Sequence, residues 1–436
     1  MNPTESGQQA LVCPTRPTAS TELATTPTAV PNRQDAVRFW HQTKWVTFDP
    51  RSVLQSPRVT GRLFPLVTVD ELPLDRRTGL TQTIDFQAIG SQASADAAVF
   101  VHSLQSQLSK LEDPARRIFE VMAAGRYRAG SVGETAFLDN WPLWRDRLTR
   151  AVQTQTPVSI LLPSFPFKAP NPLKTQRRLP DMAELLCLAR LFEITEAIRL
   201  VHPPGAVVRI LSEGRIYGPL FEVSAHEAEL YRSELQRMIE LLGAGHALRL
   251  VDIEDDVILP WRAEFDALRQ ALEPELRTWW EANTDDEHRR YLVRNLVASV
   301  HLPKETAQLF TSVLNTALTD EALTEAAHGL SRIRASVERR ADQAAFTYTL
   351  LLSTLRITRV MDRYDPYAIR ATVHPKPGQW GIHLVNKRTS LYPWHGVAVR
   401  KVSGSWRIRT ELDAMRQGAV PVYADTSPLP FYYQER

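Results

Sequence analysis

Apolar runs and helical spacings alternate most sharply in the middle of the chain. Val158 to Leu162 is a nearly continuous apolar run of strand length, as a strand covered on both faces requires. A helical pattern follows over Asp181 to Val201, with Pro180 and Asp181 at its start. Then come a second apolar run, Ala206 to Leu211, a helical pattern from Ser224 to Leu242 with Ser224 as N-cap, and a third run, Leu248 to Ile253. Strand, helix, strand, helix, strand in that order predicts an α/β fold with a Rossmann-like parallel β-α-β-α-β core, because parallel neighbours need a crossover long enough for a helix.

Between about 261 and 364 apolar residues recur at three- and four-residue spacing, as Ala345, Tyr348, Leu351, Leu352 and Leu355 illustrate, which predicts a helical insertion. The pattern then reverts to strands over Tyr367 to Val373, Trp380 to Val385, Gly396 to Val402 and Ser405 to Arg409, the last two joined through Gly404 as a hairpin. Upstream, helices are expected from Ser94, as N-cap, to Leu111 and from Asp113 to Ala123, with short β-prone pieces at Lys44 to Phe48 and Leu63 to Val69. Residues 1–33, rich in Thr, Pro, Ser, Ala and Gln, hold too few large apolar groups to offset the entropy of ordering and read as a disordered tail. The organisation expected is that tail, an α+β subdomain over 34–150, and a catalytic domain over 151–436.

Composition narrows the class. At 436 residues, 43% hydrophobic and 23% charged, the chain can bury one large core or two smaller ones. A net charge of +3 without a long basic run gives no case for nucleic acid as a partner. Cys13 lies in the polar tail and Cys187 in a helical apolar pattern, a poor disulfide pair. No apolar run approaches the roughly 20 residues a membrane span needs, and the N-terminus lacks the order of a signal peptide, so the expected location is the cytoplasm.

Four segments carry candidate chemistry. Pro163-Ser164-Phe165-Pro166-Phe167-Lys168-Ala169-Pro170-Asn171 leaves the first central strand, and its three prolines should hold Lys168 as a cation at a defined place. Ser212-Glu213-Gly214-Arg215 leaves the second, offering a proton acceptor and a fixed cation around a tight turn, or simply a surface ion pair. Ile253-Glu254-Asp255-Asp256 leaves the third; it has the oxygens for magnesium, but an acidic loop capping the next helix is the simpler reading. Loops that leave parallel strands converge on one edge of the sheet, which makes these three a candidate pocket. Near the C-terminus, Tyr392-Pro393-Trp394-His395-Gly396 sets an imidazole beside a tryptophan, and His374 ends another strand, two positions suited to acid–base work or to packing. Arg370 and Arg400 are further cations that a substrate could use. No Walker loop, Gly-x-Gly-x-x-Gly after a strand, His-Glu-x-x-His, Gly-x-Ser-x-Gly or cysteine cluster occurs.

Taken in order, Leu162-Pro163-Ser164-Phe165-Pro166-Phe167-Lys168-Ala169-Pro170-Asn171, Leu179-Pro180-Asp181-Met182-Ala183-Glu184, Pro204-Gly205-Ala206, Ser212-Glu213-Gly214-Arg215-Ile216-Tyr217, His374-Pro375 and Pro393-Trp394-His395-Gly396-Val397 resemble the isonitrile (isocyanide) synthase family of the pyoverdine and dityrosine type. The resemblance covers about 157–402. It departs at Glu213, where the family usually has Asp, and at Tyr392, where it usually has Thr.

The resemblance implies a cofactor-free, carbon–carbon lyase-type enzyme of secondary metabolism. In such an enzyme the α-amine of an amino acid (tyrosine, tryptophan or valine) condenses with the C2 ketone of ribulose 5-phosphate, and sugar fragmentation leaves one carbon on nitrogen as an isonitrile. It also implies Glu213 as general base, His395 and His374 as proton carriers, and Lys168 and Arg215 as partners for phosphate or carboxylate, with Lys168 also in the catalytic set, since a buried amine of lowered pKa could form a Schiff base although the reaction does not need one. Ser212, Trp394, Arg370 and Arg400 complete the expected substrate-binding set. An N-formylating relative of the spore-wall branch and a non-catalytic interaction protein on the same fold are the alternatives.

Overall fold

The computed structural model describes residues 79–125, 140–168, 174–175, 177–297, 320–373, 378–385, 391–424 and 429–436. The tail and the two β-prone pieces before residue 79 therefore lie outside the described residues, as does His374. The described part begins with β1 (Leu80–Gln82), α1 (Phe86–Leu108), α2 (Pro114–Ala124) and α3 (Trp141–Thr154). The core follows as β2 (Val158–Pro163), α4 (Met182–Arg199), β3 (Ala206–Ser212), α5 (Ala225–Leu241) and β4 (Leu248–Asp252). The helical insertion comprises α6 (Arg262–Ala282), α7 (Glu287–Val297), α8 (Asp320–Thr358) and α9 (Val360–Tyr364). After it come β5 (Ile369–Thr372), β6 (Trp380–Gly381), β7 (Val397–Arg400), β8 (Trp406–Arg409), α10 (Glu411–Arg416), β9 (Val420–Ala424) and β10 (Tyr432–Gln434).

The central sheet is parallel throughout, in the order β4-β3-β2-β5-β6. The predicted β-α-β-α-β core is present and extended by two strands on the other side of β2. Its strands are legible because β2 and β3 are covered on both faces and so carry apolar residues almost continuously. The crossover helices start where local chemistry dictates. Asp181 and Glu184 form a capping box on α4, and Ser224 and Glu227 form one on α5.

A second, mixed sheet runs β1-β9-β10-β7-β8. The expected hairpin is its β7–β8 pair, antiparallel from Val397 opposite Arg409 to Arg400 opposite Trp406. Strands β9 and β10 were not anticipated. Pairing of β1 with β9, and packing of α1 on α4, join the N-terminal segment to the rest through one core cluster. Helix α3 also runs unbroken through residue 150, where the sequence placed a domain boundary.

The first helix departs from expectation too. Ser94 lies inside α1, which starts eight residues earlier behind Asp85, whose carboxylate accepts from Ala88 N at 2.8 Å. Gly90 weakens the helical signal there, yet the packing requires it, since a Cβ would stand 2.2 Å from the Leu242 carbonyl oxygen. The insertion packs α6 on α8 through Leu268, Leu272, Leu276 and Trp280 against Ala345, Phe346 and Leu350. Among the described residues no helix is long and apolar enough to cross a membrane.

Candidate functional site

The order β4-β3-β2-β5-β6 reverses direction between β2 and β5, and in an open parallel sheet the crevice at the strand carboxyl ends beside such a reversal is where ligands bind. The loop leaving β2 lies there and is held tightly. Phe165 is fully buried in the left-handed region at φ 54°, a conformation that costs a non-glycine residue of order 1–3 kcal/mol and must be imposed by its surroundings. Its ring meets Trp394 edge-on at 5.5 Å, and its carbonyl accepts from the Ser212 hydroxyl at 3.4 Å. Gly214 lets the β3 loop close on the β2 loop, because a Cβ there would stand 2.2 Å from the Pro166 carbonyl oxygen. Three sequence-separated segments therefore meet at Phe165.

Lys168 ends the described part of the β2 loop and is sealed from solvent. Its Nζ donates to Asp181 Oδ2 at 2.7 Å and to Glu184 Oε2 at 2.8 Å, with all three side chains inaccessible. The anions that meet this lysine are thus the two carboxyls that cap α4, and Lys168 is not presented to a substrate phosphate as the sequence reading expected. The same carboxyls serve the helix: Asp181 Oδ1 accepts from Ala183 N at 2.8 Å, and Glu184 Oε2 accepts from Asp181 N at 2.9 Å. Tyr231 on α5 donates its hydroxyl to Glu184 Oε1 at 3.2 Å. Burial raises the Glu184 carboxyl to about 7, with Asp181 adding to the rise and Lys168 opposing it. A carboxyl that exchanges its proton near neutrality is suited to acid–base chemistry or to a charge balance that responds to ligands.

His395 sits on a short 3-10 turn, Pro393–His395, beside this network. Trp394 is buried, stacked on Tyr392 at 5.2 Å and 13°, and fixes the turn against Phe165. Burial pushes the His395 imidazole well below its ordinary 6.5, and the positive charges of Lys174 and Lys168 push it further. These causes hold the ring in its neutral form. Lys174, whose carbonyl accepts from Glu411 N at 2.7 Å, is itself lowered by burial to about 8.

The remaining sequence-predicted residues divide. Glu213 precedes the helical turn Gly214–Tyr217 and is half-buried; its carboxylate acts on the phenols of Tyr217 and Tyr348. Arg215 is partly exposed and faces the acidic loop after β4. It pairs with Asp255, and lies 3.8 Å from Asp252 and 3.9 Å from Glu254. That loop is also a cap, since Asp252 Oδ1 accepts from Glu254 N and Asp255 N. Arg370 on β5 reaches Met361 Sδ at 2.8 Å and Asp362 at 3.4 Å, and its Nε is buried with no partner among the described residues. Arg400 is exposed in the second sheet, with its guanidinium 5.9 Å from the Trp406 ring, so its described contacts place it in the β7–β8 hairpin and not among the loops. Among the described residues no group of three or more His, Cys, Asp or Glu side chains is placed to hold a metal ion.

Residues 148–420, which contain every member of this loop cluster, match the pyoverdine/dityrosine biosynthesis protein family. The chain belongs to that family. It is 30% identical over 258 residues to the L-tyrosine isonitrile synthase of Pseudomonas aeruginosa, covering 58% of this chain and 73% of that protein. It is 26% identical over 255 residues to the L-tryptophan isonitrile synthase AmbI2 of Fischerella ambigua, covering 57% of this chain and 69% of that one. In three dimensions it resembles the crystal structure of the PvcA protein from Pseudomonas aeruginosa, with a TM-score of 0.58 and 23% identity over 74% of this chain and 100% of that chain, a likeness of fold.

Within the family stretch, the sequence reading gave no role in the site to Asp181, Glu184, Tyr231 or Lys174. The first two were visible as an Asp-x-x-Glu capping box ahead of an apolar helix. Nothing local indicates that the box also encloses a lysine.

Proposed function

We propose that this chain is an isonitrile synthase that converts the α-amine of an amino acid to an isonitrile, taking the carbon from ribulose 5-phosphate. The observation that carries the reading is the buried Lys168–Asp181–Glu184–Tyr231 network set against a neutral His395 at the carboxyl edge of the parallel sheet, within the family stretch. Condensation of an amine with a ketone needs a base for the ammonium and an acid for the departing hydroxyl. Glu213 takes the ammonium proton as base and, once protonated, is the acid for the departing hydroxyl, with the neutral His395 as a second proton carrier; both are drawn from loops that meet at Phe165. Lys168 then acts by position, locking the β2 loop onto α4, and its sealed amine forms no bond to substrate. Arg370, whose buried Nε has no partner among the described residues, remains a cation for carboxylate or phosphate, whereas Arg215 is held by the acidic loop. The chemistry calls for no cofactor, and its fragmentation steps make the enzyme lyase-like.

The direct test incubates the purified protein with ribulose 5-phosphate and L-tyrosine, L-tryptophan or L-valine, traps any isonitrile and identifies it by mass. An isonitrile is expected from one of the three. A product heavier by one water is the formamide and assigns the chain to N-formylation. No product from any amino acid, with no binding of ribulose 5-phosphate, sinks the enzymatic reading.

A further inference from the structure

Tyr217 closes the Ser212-Glu213-Gly214-Arg215-Ile216-Tyr217 segment. It is buried, and its hydroxyl has no hydrogen-bond partner among the described residues. Buried hydroxyls in folded proteins are nearly always partnered, so an orphan at the loop after β3 is a place where another molecule can complete a bond. The Tyr217 ring lies 5.1 Å from that of Tyr348 on α8, and Phe167 and Phe221 pack 5.6 Å apart in the same cluster. The helical insertion thus closes over the sheet edge with aromatic rings where the β2 and β3 loops end.

Opposite charges border this place. The Glu213 carboxylate pushes both phenols up, after burial, and the Arg356 guanidinium pulls both down, so each charge lies within electrostatic reach of both hydroxyls. Arg356 is on α8, two helical turns from Tyr348, and most of its side chain is desolvated. A phenol within reach of both an anion and a cation suits a ligand that carries an ammonium and a carboxylate on the same carbon.

We infer that Tyr217, Glu213 and Arg356 bind the head group of the substrate amino acid, with the Tyr217 hydroxyl donating to the α-carboxylate, Arg356 adding its charge there and Glu213 facing the α-ammonium. The inference rests on the proposed reaction for the choice of an amino acid as ligand. It also explains why Glu213 would be the base, since it lies against the nitrogen that must lose protons. Burial keeps the phenol protonated, so it donates and does not compete as an anion.

Calorimetry on the full chain tests this with L-tyrosine, L-tryptophan and L-valine, followed by the amide and N-acetyl derivatives of whichever binds. The parent amino acid should bind, and both derivatives should bind at least about tenfold more weakly. Tyr217→Phe should melt at the wild-type temperature or higher, because it removes a hydroxyl that has no partner, yet raise Kd for the amino acid about tenfold and leave Kd for ribulose 5-phosphate unchanged. Arg356→Lys should shift the same constant in the same direction. A Tyr217→Phe protein that melts lower and binds the amino acid normally overturns the inference, as does a shift confined to ribulose 5-phosphate or a wild type that binds no amino acid. Amino-acid binding lost in Tyr217→Phe, with no isonitrile formed by the wild type, leaves this site standing and sinks the proposed reaction. Isonitrile formed by Tyr217→Phe at the wild-type KM does the reverse.

Discussion

Lys168 Nζ stands 2.7 Å from Asp181 Oδ2 with neither side chain exposed, and this bond ties the loop after the first core strand to the first turn of the helix that follows. The lysine thus links two backbone segments while it donates to two capping carboxyls. Four consequences of the arrangement can be measured.

Lys168→Met removes the cation and leaves Asp181 and Glu184 buried without it. Breaking a buried ion pair on one side typically costs about 3–5 kcal/mol. Urea denaturation should show a loss of that order, and a loss below about 1 kcal/mol would mean that the carboxyls find other partners. Lys168→Arg separates position from covalency, since retained turnover excludes a Schiff-base role for the lysine.

Glu184 gives stability a specific dependence on pH. Its proton leaves near 4.5 in the unfolded chain and at about 7 in the folded one. Between those values the folded state holds a proton that the unfolded state lacks, so raising the pH favours unfolding. Relative to Glu184→Gln, which keeps the capping-box geometry, the wild type should lose stability as pH rises from 4.5 to about 7 and lose no more above it. Denaturation midpoints of the two proteins at pH 5 and pH 8 read this directly, and parallel profiles would refute it.

His395 should titrate below its ordinary 6.5, and Lys174→Met should move it upward, because burial and then the Lys174 charge hold it down. Imidazole resonances followed by NMR across pH 5 to 8 report both proteins. The sign for stability is the reverse of that for Glu184: as pH falls below 6.5 the unfolded histidine gains a proton that the folded ring refuses, and stability declines.

Gly214→Ala places a methyl group 2.2 Å from the Pro166 carbonyl oxygen, a backbone atom that cannot swing away. The β2 and β3 loops must part, at a cost of about 1–3 kcal/mol. Turnover should fall far more than stability does, since both loops carry the site. Wild-type kcat/KM in this variant would show that the loops need not touch.

Much of the fold was legible because its causes are local. Strands β2 and β3 are covered on both faces and read as apolar runs, while Asp181 with Glu184 and Ser224 with Glu227 declare their helices within four residues. Strands β1, β9 and β10 were not legible. They are three to five residues long and exist through pairing with distant partners, as Leu80 does with Val422 and Tyr433 with Val399. Helix α1 was misplaced at its start because Gly90, a poor helix former, is there for its closeness to Leu242.

By itself, the amino-acid order determined the α/β class, the order of the core strands along the chain and the loops that carry Lys168, Glu213 and Arg215, since hydrophobic period and caps act over a few residues. Only the tertiary structure decided what those charges meet: Asp181 and Glu184 for Lys168, the acidic loop for Arg215, and the phenols of Tyr217 and Tyr348 for Glu213. The physical reason is that burial and proximity, which set whether a charge is offered to a ligand or held by the protein, arise when segments far apart in the chain pack against one another.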